Sequence, residues 1–74
     1  MRSEILTAAE QWRDDWTVHK SYDQPNRLLL VLQFYSARGQ LDTDRRMEIF
    51  SAAMEWANGG TRERLDELLE TLPE

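Results

Sequence analysis

Residues 27–35 read Arg-Leu-Leu-Leu-Val-Leu-Gln-Phe-Tyr, an almost unbroken apolar run between Pro25 and Gly39. A helix built from this run is apolar on every face, so it needs to be surrounded rather than docked along one stripe. The chain has 74 residues with which to do so. A domain of that size buries only about 60% of the surface its unfolded chain exposes, which leaves little stability to spare. The run is also far shorter than the roughly 20 residues a membrane-spanning helix requires. It therefore predicts the buried axis of a small helical domain.

The usual aids to a small domain are disulfides, a metal, or association. The chain has no cysteine and a single histidine, His19. Disulfides, thiolate metal sites and ordinary histidine zinc sites are thereby removed. Tight helix packing remains, with self-association as a two-fold dimer the expected way to cover leftover apolar surface. The start, Met1-Arg2-Ser3-Glu4, leads straight into an amphipathic pattern instead of the apolar core of a signal peptide. A cytoplasmic protein is expected.

The periodicity is helical throughout and predicts one all-α domain, 1–74, a compact bundle of four short helices. The first spans about 3–20, with Ser3 as N-cap and Ile5, Ala8, Ala9, Trp12, Trp16 and His19 on one side. The second spans about 25–38. Pro25 suits its first turn, Gly39 suits a left-handed C-cap, and Arg38 in the last turn suits the negative end of the dipole. The third spans about 43–58 and is capped by Asp42 or Thr43. Its wide apolar arc runs through Met47, Ile49, Phe50, Ala52, Ala53, Met54, Trp56 and Ala57. Asn58-Gly59-Gly60 is the strongest terminator in the chain. The fourth helix spans about 61–72 with Thr61 as cap and a narrow stripe of Leu65, Leu68, Leu69 and Leu72. The second helix, least able to face water, is expected at the centre.

The net charge is −5. The excess lies in residues 48–74, where Arg62 and Arg64 stand against seven acids. Overall acidity argues against a free-standing nucleic-acid binder. A helix-turn-helix reading would rest on Arg38, Arg45 and Arg46 around Gly39, but Asp42 and Asp44 share that turn. Asp14-Asp15 and the Asp42/Asp44 pair suit solvation and capping better than acid–base work. The Asp42-x-Asp44 spacing lacks the glycine and terminal glutamate of a calcium loop. The amides of Gly59-Gly60 precede acids that would repel a phosphate. No catalytic, cofactor-binding or metal-ligating residue is singled out, and no enzyme is expected.

Two features suit partner binding. Trp16 lies near the weak end of the first helix, and tryptophan is enriched among interface anchors. Glu63, Asp66, Glu67 and Glu70 form an acidic face on the fourth helix, suited to a basic partner. In being small and acidic the chain resembles phage-encoded inhibitors and bacteriocin immunity proteins, a likeness of format that carries no residues across. The leading expectation is a protein that regulates, adapts or inhibits by binding another protein. The alternative is an acidic inhibitor that mimics nucleic acid against a nucleic-acid-binding machine, of the phage or mobile-element anti-defence type. A DNA-binding regulator comes after both. The working surface is expected on the flanks of the first and third helices or the acidic face of the fourth.

Overall fold

The computed structural model describes residues 1–19 and 26–74, with side chains described for 1–15 and 27–74. The expectations placed on Trp16, His19, Tyr22 and Pro25 lie outside the described side chains. The helices are α1 (Arg2–His19), α2 (Asn26–Ala37), α3 (Thr43–Ala57) and α4 (Glu63–Glu70). Among the described residues there is no strand, and the four helices form a bundle around one core. No described helix is long and apolar enough to cross a membrane.

Local chemistry explains where α2 and α3 stop. Gly39 has φ 76° and Gly59 φ 98°, in the left-handed region that favours glycine. At the end of α2, the Gly39 amide donates to the Ser36 carbonyl and the Gln40 amide to that of Tyr35. At the end of α3, the Gly59 amide donates to Trp56 and the Gly60 amide to Glu55. Both are Schellman ends, which satisfy carbonyls the helix leaves open. Asp42 starts α3, its carboxylate accepting from the Arg45 amide at 2.6 Å.

Three expected helix-end roles are corrected. Ser3 does not cap α1, which already begins at Arg2; its hydroxyl donates to Glu74 at 3.2 Å instead. Thr61 does not cap α4; Arg62 holds that position without a side-chain cap bond. Arg38 falls just beyond α2, with its guanidinium 5.2 Å from the centre of the Phe34 ring.

The larger correction concerns the bundle axis. α1 and α3 each pack against all three other helices, whereas α2 and α4 do not touch. Ala8 and Ala9 of α1 and Ala52, Ala53 and Ala57 of α3 are all buried. Small side chains let helix axes approach closely, and α1 and α3 take the middle. Among the described helices, α2 has only these two neighbours. They cover Leu28 and Leu32 completely but leave Leu30 64% and Phe34 51% exposed. The apolar run is wider than two neighbours can cover, so α2 flanks the core instead of forming its axis.

Aromatic contacts tie the layers together. Trp12 is buried and stacks on Phe50 at 5.2 Å, joining α1 to α3. The guanidinium groups of Arg13 and Arg62 each stand over the Trp56 ring, 5.2 and 5.5 Å from its centre. Near the termini the Arg2 amide donates to the Pro73 carbonyl, and the Arg2 side chain pairs with Glu74 at 3.1 Å.

Tyr35 joins α2 to α1 by donating its hydroxyl to Glu4 at 2.5 Å. That bond holds the phenol above its ordinary value of 10.0, helped by partial burial and by the negative charge of Glu4; Arg38 opposes the rise. A raised folded value contributes stability that is present below the unfolded value and lost as pH rises through the folded one. With Tyr22 replaced by Phe, tyrosinate absorbance will report Tyr35 alone. Glu4→Gln is expected to shift that titration downward. An unmoved titration means that the Glu4 bond does not govern this phenol in solution.

Candidate functional site

α2 and α3 lie side by side, and their outward surfaces form one face of the molecule. From α3, Met47 is 62% and Met54 41% exposed. Together with Leu30 and Phe34 they are the exposed large apolar side chains of the described residues. An open groove of about 470 Å³ runs between the two helices. Leu29, Leu32 and Gln33 line it from α2, and Arg46, Met47, Phe50, Ser51 and Met54 from α3. Its floor is continuous with the core, because Leu32 is fully buried and Phe50 stacks on Trp12.

Periodicity explains this arrangement. On α2, Leu28 and Leu32 are one turn apart and point inward. Leu30 and Phe34 are also one turn apart, on the opposite side. On α3, Ile49, Ala52 and Ala53 turn into the core, which leaves Met47 and Met54 on the flank towards α2. Methionine is flexible and polarisable, and it adapts to varied partner shapes. Apolar side chains that cluster on a surface mark interaction sites more often than isolated ones do.

The charges carried by α2 are of one sign. Residues 26–41 contain Arg27 and Arg38 and no acid, although the whole chain carries 14 acids. Arg46 lines the groove from the other side. None of these three makes an ion pair among the described residues. Arg45 diverges from Arg46: its guanidinium donates to the Thr71 hydroxyl, across α3 towards α4.

Comparison with protein-family models, with curated proteins and with solved structures found no match.

The residues expected at a partner site are only partly brought together. Trp16 stands on the described backbone of α1, but its side chain lies outside the described residues. Glu63, Glu67 and Glu70 are exposed on the outward side of α4, opposite the buried Leu65 and Leu69. Asp66 differs from them, being half-buried and paired with Arg62 at 3.1 Å. The acidic face is thus narrower than its sequence suggests. By sequence pattern Leu30 and Phe34 belong to the buried axis, and Met47 and Met54 to the apolar arc of α3. The available signal was the surplus of apolar positions on α2, which exceeds one buried side. Among the described residues, no group of three or more histidine, cysteine, aspartate or glutamate side chains converges to hold a metal.

Proposed function

We propose that this protein works by binding another protein, as a regulator, adaptor or inhibitor, and that the partner docks on the α2–α3 face. The observation that carries the proposal is the set of exposed large apolar side chains on these two helices, Leu30 and Phe34 on the outward side of α2 and Met47 and Met54 along the groove. Each of these side chains keeps roughly half its surface in water. Burying the remainder gains about 1–1.5 kcal/mol apiece by area. The four together supply about 4–6 kcal/mol, comparable with the lower estimates of what association itself costs. The face is thus an anchor that needs polar contacts to become a specific site. The proposal puts the protein in the cytoplasm and assigns it no catalytic role.

A second reading has its own support in the outward carboxylates Glu63, Glu67 and Glu70, which make no ion pair among the described residues. It is the acidic inhibitor that takes the place of nucleic acid on a basic partner. The helix-turn-helix reading draws less support, because Arg45 and Arg46 point to opposite flanks of α3.

Affinity capture from native lysate separates the two main readings. The protein is expected to retain a partner at high salt and to lose it on Phe34→Asp or Met54→Asp. Both variants should keep native helicity, since both side chains are already exposed. Capture that survives these changes, but fails at high salt or when Glu63, Asp66, Glu67 and Glu70 are neutralised, would overturn the α2–α3 proposal in favour of the acidic inhibitor.

A further inference from the structure

We infer that the outward side of α2 is built to receive an acidic amphipathic helix of a different protein, an inference that rests on the docking role proposed above. The recognition element is the outward stripe Arg27, Leu30, Phe34 and Arg38. These residues fall at positions i, i+3, i+7 and i+11, which places all four on one side of the helix. Leu30 and Phe34 are the apolar centre, with an arginine one turn beyond each end. At about 1.5 Å rise per residue, the two arginines stand about 16 Å apart along the axis. Arg38 reaches back over Phe34, its guanidinium 5.2 Å from the ring centre. It holds its charge beside the apolar stripe while leaving its donors for a carboxylate.

Charge decides among occupants of this face. The segment from Asn26 to Leu41 has no acid with which to neutralise its own arginines. A second copy docked along α2 meets like charge in either direction. An antiparallel pairing centred between Leu30 and Phe34 sets Arg27 of one copy near Arg38 of the other. A parallel pairing sets each arginine against its counterpart. Like charges face to face count against self-association here. A duplex or an anionic membrane also offers negative charge. However, the chain as a whole carries −5, which opposes phosphate-rich surfaces at long range. The stripe is also a single row of side chains along one helix, which suits one rod rather than a plane. A helix that lays apolar residues at i, i+3 or i+4 and i+7 along the stripe, with acids at both ends, satisfies both the apolar and the charged parts.

The test uses the full chain and a pair of synthetic helical peptides about sixteen residues long, enough to span the stripe. Both carry the same leucine stripe. One has glutamates at the positions flanking the stripe, and the other has lysines there. Anisotropy of labelled peptide is expected to give about tenfold tighter binding for the glutamate peptide, a gap that narrows as salt rises. The double substitution Arg27→Glu/Arg38→Glu is expected to reverse the preference while helicity stays native. Equal binding of the two peptides that is still lost on Leu30→Asp overturns the acidic partner but keeps the docking face. Failure of both peptides to bind overturns the docking face itself. Concentration-dependent dimerisation that Leu30→Asp abolishes assigns the face to a second copy and overturns the inference. Capture of a short DNA duplex or of anionic vesicles, lost in the same double variant, overturns it equally.

Discussion

Leu32→Asp is expected to leave the protein unfolded at room temperature, whereas Leu30→Asp, on the same helix, is expected to leave it folded. Leu32 is fully buried in the shared core; Leu30 is 64% exposed. Truncating a buried leucine to alanine already costs about 2–5 kcal/mol. A carboxylate in that place adds a desolvation cost of several kcal/mol or must take up a proton. Domains carry about 0.05–0.15 kcal/mol of stability per residue, or about 4–11 kcal/mol for a chain of this length. The Leu32 penalty consumes most or all of that. Leu30→Asp gives up little burial and adds mainly the poorer helix propensity of aspartate, about 0.5 kcal/mol. Far-ultraviolet circular dichroism with thermal melts checks both. If Leu32→Asp keeps a native melt, the side of α2 that faces the core has been misassigned. If Leu30→Asp unfolds, the docking face is core.

The same pair of leucines marks the limit of what the sequence makes legible. The helices and their ends are local matters. Gly39 and Gly59 adopt the left-handed conformation that few other residues tolerate, and Asp42 supplies an acceptor where an amide lacks one. The inward stripe Ile5, Ala8, Ala9 and Trp12 on α1 is equally plain from its spacing. Which side of α2 faces water is a different kind of question. Leu28, Leu30 and Leu32 are the same residue, so composition cannot rank them. The choice depends on which helices stand beside α2, and that depends on the close approach that alanines permit between α1 and α3. A run apolar all round predicts a buried axis. Two neighbours in place of three turn the surplus into a face. The spacing of Arg27, Leu30, Phe34 and Arg38 is visible in the sequence, but their exposure is not. Ser3 and Thr61 show the converse case. Each has the chemistry of a cap, and each is displaced by where the chain ends meet or the preceding turn leads.

Leu65→Ala is expected to lower the denaturation midpoint by the equivalent of about 2–5 kcal/mol, the cost of emptying a fully buried leucine site. α4 has eight residues and is too short to persist in water by itself. Its helicity depends on Leu65, Leu69 and Leu72, all buried in the common core. The exposed Arg2–Glu74 pair adds little to this docking. Two tryptophans distinguish local release of α4 from loss of the whole domain. Trp56 is held against Arg62 at the start of α4 and reports that helix; Trp12 stacks on Phe50 and reports the α1–α3 pair. Because α1 and α3 both touch α4, urea transitions followed at the two tryptophans, each as the single tryptophan, should coincide and shift together. Separated transitions would show that α4 detaches before the bundle fails. Since α2 makes no contact with α4, molecules of Leu65→Ala that remain folded should bind the glutamate peptide as tightly as the parent protein. Weaker binding by the folded fraction would mean that the outward stripe of α2 depends on α4, and that it is not the self-contained surface its geometry describes.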